Sequence, residues 1–168
     1  MLFRSDFRHR SKVEPLILNT LIACLPNKSK NHLHEKEILN HTQISKTSLF
    51  DYVSFFKVLS INGIGRMIVN FFKNQNYLVK EIMKMFMKNI NSLKKLSYYT
   101  NSKTTTLSFI RYPGSKYCLK YLSKLSCNSN IKSTFFYKLS QICCNLQSLT
   151  IEFKDVVSSD LKNLKLRL

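Results

Sequence analysis

The chain has 168 residues, 44% of them apolar, with three Gly, three Pro and no Trp, which predicts one domain with a real core and excludes a linker-rich or disordered chain. Twenty-seven Lys and Arg against nine Asp and Glu leave a formal charge of +18, a balance that suits nucleic acid, anionic membranes or acidic proteins. Lys, Asn, Ile, Phe and Tyr are enriched together and the lysines are dispersed, so drift toward A/T-rich codons accounts for the excess before a functional basic face does. Five cysteines without a Cys-x-x-Cys pair point to free thiols in a reducing intracellular compartment, cytoplasmic or nuclear.

Residues 1–14 are polar and basic and are expected to fray as a disordered N-terminus. Residues 15–75 read as a helical stack. Pro15 suits the first turn of a helix whose apolar face is Leu18, Leu21, Ile22 and Leu25, with Pro26 as its stop. That apolar run is too short to span a membrane, which needs about 20 residues. Asn27 to Lys30 is expected to be a turn, and His32 to Thr47 a weak helix or loop. Ser48 and Asp51 resemble a capping box ahead of Leu49, Tyr52, Val53, Phe56 and Leu59 at helical spacing. Asn62-Gly63 and Gly65 are expected to break that helix before Met67, Ile68, Phe71 and Phe72 build another.

Residues 76–168 read as a degenerate leucine-rich-repeat-like region. Leu78, Ile82, Met85, Phe86, Ile90 and Leu93 recur at helical spacing, as do Ile131, Phe135, Leu139, Ile142 and Leu146. Each helix leads into Leu-x-x-Leu-x-apolar, with starts at Leu93, Leu122, Leu146 and Leu161 that lie 29, 24 and 15 residues apart. The first two steps fit a repeat period of about 20–29 residues, and the third is short. Residues 100–114 have strand propensity and read as an irregular insertion ending at Pro113-Gly114. The fold class expected is α/β, mostly helical: a short leucine-rich-repeat-like solenoid with an N-terminal helical stack. Leu146, Leu149 and Ile151 are expected to point into its core.

Catalytic and metal chemistry find little support. His32, His34 and Cys24 form an incomplete zinc set. Asn62-Gly63-Ile64-Gly65-Arg66 lacks the third glycine of a phosphate loop and reads as a helix–helix turn. Lys80, Lys84 and Lys88 share one helix face, but a solvated face of a Lys-rich protein looks the same. No catalytic residue, metal or cofactor is expected.

Three stretches carry a family resemblance: Leu18 to Asn27, Phe56 to Asn62, and Tyr137 to Ile151 with its Cys-x-Asn-Leu-x-x-Leu-x-apolar core at Cys143. They resemble the expanded fungal F-box proteins with degenerate leucine-rich repeats. The resemblance implies the substrate-receptor subunit of a cullin-type ubiquitin ligase, in which an F-box docks on a Skp-type adaptor and the repeats hold a protein substrate. Only Met1 to Glu14 precedes the matching region, short of an F-box of about 40–50 residues, so adaptor docking is not expected. The function expected is a non-catalytic protein-interaction module. Its nominal contacts are solvent-facing strand positions Lys94, Lys95, Gln147, Ser148, Lys162 and Asn163. A basic nucleic-acid-binding protein is the alternative.

Overall fold

A computed structural model of the chain describes residues 4–72, 75–99 and 109–153. Among them are seven α-helices and four parallel strands in one sheet: α1 (Arg4–Ala23), α2 (Asn27–Glu35), α3 (His41–Ser45), β1 (Val58–Ser60), α4 (Ile61–Phe71), α5 (Gln75–Asn89), β2 (Lys95–Tyr98), α6 (Ser115–Leu119), β3 (Lys124–Asn128), α7 (Ser133–Ile142) and β4 (Ser148–Glu152). The architecture is α/β, with strand order β1-β2-β3-β4 matching chain order. Parallel neighbours cannot be joined by a tight turn, so each pair of strands is separated by helix.

Helix α1 buries Leu18, Leu21 and Ile22, as the periodicity predicts. Its start differs: the backbone is helical from Arg4, so Pro15 lies inside the helix rather than at its first turn. The proline ring suits helical φ, and the departure removes one backbone hydrogen bond. Asn27 to Lys30, expected to be a turn, is instead the first turn of α2, with Pro26 as its N-cap. Lys30 ties this connection to the chain that follows α3. Its side chain is fully buried, and its Nζ donates to the carbonyls of Ala23, the last residue of α1, and Lys46. A cation there answers the negative end of the α1 dipole and fills orphaned carbonyls. Burial lowers the Lys30 pKa, an effect the nearby Cys24 opposes.

Helix α2 ends with Glu37 at φ 56°; its N–H donates to His34 O at 2.8 Å, and the Ile38 N–H to Leu33 O at 2.9 Å. This is a left-handed helix stop, a position that favours glycine.

The stretch Leu49 to Leu59 is not helical. Asp51 caps only a 3₁₀ turn at Tyr52–Phe55, and the chain then extends into β1. The apolar set does not share one buried face: Val53 is buried and Leu59, placed on the strand, is 2% exposed, but Leu49 is 91% exposed and Tyr52 is exposed as well. The capping box lies at Asn40 and Gln43, on α3. Gly63 and Gly65, expected to break a helix, sit in the first two turns of α4 instead. The Gly63 N–H is one of the unpaired donors of a helix start, and Ser60 Oγ accepts it at 3.2 Å.

Helix α5 is buried on most sides, through Leu78, Ile82, Met83, Phe86 and Met87 among others. Its acid Glu81 takes hydrogen bonds from Lys84 at 2.6 Å and from Ser29 of α2 at 2.8 Å. Burial alone would raise the Glu81 pKa. The two hydrogen bonds, with the charges of Lys84 and His32, outweigh it and hold the carboxyl below its ordinary 4.5.

Of the segment expected as an insertion, 100–108 lies outside the described residues; Phe109 and Ile110 then form a buried 3₁₀ turn. Gly114 follows at φ 89°, and a Cβ there would collide with the Met87 carbonyl and lie 2.8 Å from Lys88 Cα. The end of α5 is therefore in backbone contact with the start of α6.

The sheet register places Leu59, Leu96, Leu125 and Leu149 in one row, with Tyr98, Cys127 and Ile151 in the next inward-parity row. Leu59, Leu96 and Leu125 are at most 2% exposed and lie under the helices. Burial pushes the Cys118 thiol up to about 12 and raises that of Cys127, so both stay protonated and pack as small apolar groups. The expectation that Leu146, Leu149 and Ile151 point into the core is corrected: they are 41%, 48% and 37% exposed. Strand β4 is the edge of the sheet among the described residues, so its half of each contact has no described neighbour beyond it.

Three outcomes follow from this packing. Leu125→Ala is expected to cost about 2–5 kcal/mol, and Leu149→Ala in the same row clearly less, by urea denaturation; equal costs would show that β4 is covered. Gly114→Ala should cost about 3 kcal/mol, through positive φ and collision with α5, while Glu37→Gly should gain about 0.5–1 kcal/mol. For Glu81, a lowered folded pKa means the stabilisation is present above the unfolded value and lost as pH falls through the folded one. Glu81→Gln should therefore flatten the decline in melting temperature below about pH 4.5, and an unchanged decline would remove Glu81 from that role.

Candidate binding face

Burial alternates along β2 and along β3 as far as Cys127, because successive side chains of a strand point to opposite faces; Asn128, at the end of β3, is buried although it has outward parity. The inward positions lie under the helices; the outward ones form rows across all four strands. One row is Val58, Lys95, Lys124 and Ser148, and the next is Ser60, Ser97, Ser126 and Thr150. Neighbouring members of a row are about 4.8 Å apart at the backbone. The rows exist because Leu-Ser or Leu-Thr recurs at the same point of each strand: Leu59-Ser60, Leu96-Ser97, Leu125-Ser126 and Leu149-Thr150.

A third set of groups closes the C-terminal edge of this face. The Asn62 side chain donates to Tyr99 O at 2.6 Å and accepts from Tyr99 N–H at 2.7 Å. It thereby continues the β1–β2 pairing after the backbone has turned into α4. The Tyr99 hydroxyl donates to Glu152 Oε1 at 2.9 Å, and that hydrogen bond raises the Tyr99 pKa.

Lys95 and Lys124 are exposed, side by side on adjacent strands. The ion pairs among the described residues are Lys84–Glu81 and His32–Glu35, so neither sheet lysine has a carboxylate partner there.

The expected contact residues are divided by this geometry. Lys95 and Ser148 stand on the lysine row. Lys94 and Gln147 sit one residue before their strands, where their N–H groups bond Lys57 O and Ser123 O. Lys94 Nζ lies over the Tyr121 ring at 5.7 Å. Lys162 and Asn163 lie outside the described residues. Lys124 and the hydroxyl row were missed. The spaces between the two leucines of each motif were taken as solvent-facing, whereas the pleat exposes alternate positions, one before and one after the second leucine.

A concavity of about 740 Å³ lies between α1, α2, α3 and α4. Leu18, Ile38, Phe71 and Phe72 line it with His34 and His41, whose ring centroids are 4.4 Å apart. His34 Nδ1 is 2.9 Å from Leu39 O, and among the described residues no hydroxyl or thiol side chain lines the space. His32, His34 and Cys24 are not gathered: among the described residues no group of three or more His, Cys, Asp or Glu could hold a metal ion. No described helix is long and apolar enough to cross a membrane.

Like charges side by side on a sheet repel, and salt screens them. Lys124→Gln is therefore expected to raise the melting temperature slightly at low ionic strength, with the gain disappearing in 1 M salt. A salt-independent effect would mean that the two lysines do not feel each other. No known family model, curated protein or solved structure matches this chain.

Proposed function

We propose that the chain is a non-catalytic protein-interaction module and that its partner surface is the outward face of the parallel sheet. In this reading the strand–helix units are the turns of a short leucine-rich-repeat-like solenoid, related to the substrate-holding part of fungal F-box proteins. The observation that carries the reading is the leucine row. Positions 37, 29 and 24 residues apart are brought into register at Leu59, Leu96, Leu125 and Leu149, so similar units lie side by side with one face under helices and the other free of them among the described residues. Repeat stacks of this kind offer a continuous strand face to a protein partner. Adaptor docking, which the resemblance assigns to an F-box, forms no part of the role proposed for this face.

A photo-crosslinking residue placed at Ser97 or Ser126 tests the proposal in the source cell, with one at exposed Tyr137 on α7 as the helix-side control. Discrete protein adducts are expected from the two sheet positions and not from Tyr137. Adducts confined to Tyr137, or none at any position, would refute it.

A further inference from the structure

We infer that the occupant of this face is an acidic, extended segment of a partner protein, seated between the ammonium groups of Lys95 and Lys124 and along the hydroxyl row. The inference rests on the proposed reading of the sheet face as the partner surface, and adds the chemistry of the partner.

Charge complementarity carries it. Lys95 and Lys124 are exposed, adjacent and without a described ion-pair partner, an arrangement that costs the free protein some repulsion. One carboxylate between them would remove it. Among the described residues, the carboxylate on the rows or their C-terminal edge is Glu152, at the end of β4, and it already accepts the Tyr99 hydroxyl. Beside the lysines run Ser60, Ser97, Ser126 and Thr150, short groups that both donate and accept. The Ser60 oxygen is committed to the start of α4, whereas Ser97, Ser126 and Thr150 have no side-chain hydrogen bond among the described residues. They are suited to the backbone and side-chain polar groups of a passing chain. Four strands span about 14 Å, the length of four to five extended residues.

The same charge would attract nucleic acid, but single strands are held by bases stacking on aromatic faces. The rows themselves carry no aromatic ring; beside them, Tyr99 is partly buried with its hydroxyl occupied, and the Tyr121 ring is taken up by the ammonium groups of Lys94 and Lys120 at 5.7 and 5.2 Å. A protein segment is therefore favoured.

The experiment uses the full chain and fluorescence anisotropy with three probes: a labelled Glu/Ser decapeptide, its Gln/Ser counterpart and a ten-nucleotide single-stranded DNA. Two double variants remove the same charge from different places. Lys95→Gln with Lys124→Gln empties the row; Lys80→Gln with Lys88→Gln discharges exposed positions of α5. Melting curves confirm that both pairs fold. The acidic peptide is expected to bind more tightly than the Gln peptide and the DNA, and to weaken about tenfold with the row variant and less than about twofold with the α5 variant. Equal losses in the two variants would mean that net charge alone attracts the peptide, and would overturn the inference. DNA binding more tightly than the peptide and falling with the row variant would make the face a nucleic-acid surface. If no probe binds but Ser97 and Ser126 still crosslink a partner, the acidic chemistry is wrong and the module stands. If both fail, the reading beneath it falls as well.

Discussion

The row of leucines at Leu59, Leu96 and Leu125 is the constraint on which the rest of the molecule depends. Each belongs to a strand of three to five residues, too short to be stable alone. Parallel pairing brings the leucines side by side, and only helices laid over them remove the row from water. At about 25 cal/mol per Å² of apolar surface, burying a leucine contributes roughly 1.5–3 kcal/mol, so the row outweighs any single polar contact in the structure. Because the connections must supply those helices, each turn of the chain is a strand followed by helix, and the strands fall in chain order.

Polar groups then fit the ends of this arrangement rather than driving it. Lys30 joins the end of α1, at Ala23 O, to the end of α3, at Lys46 O, Asn62 extends the first strand pair after its backbone has turned away, and Gly114 lets α6 begin against the backbone of α5. Each replaces a hydrogen bond or a volume that the packed chain could not otherwise supply. The outward face inherits its order from the same register. A serine or threonine follows every leucine of the row, so aligning the leucines aligns the hydroxyls.

Periodicity made much of this legible. The helices around Leu18 to Ile22, Leu78 to Ile90 and Phe135 to Ile142 were visible because a buried helix face repeats every three to four residues. The starts at Leu93, Leu122 and Leu146 were visible because equivalent strands need equivalent residues. The stretch Leu49 to Leu59 misled for the same reason: apolar spacing over eleven residues suits a helix, but the place of Leu59 in a row with Leu96 is decided by a partner 37 residues away. The glycines of α4 misled because a helix start tolerates what a helix interior does not.

The sequence by itself determined the class of structure and the core positions of the two middle strand motifs, Leu93 with Leu96 and Leu122 with Leu125. Those are local properties, set by side-chain type and spacing. Only the tertiary structure decided which strand lies beside which, and with it the exposure of Leu149, the burial of Lys30 and the pairing of Lys95 with Lys124. A residue's neighbours across a sheet are set by register between distant segments, and register is a property of the assembled fold, in which every row must align at once.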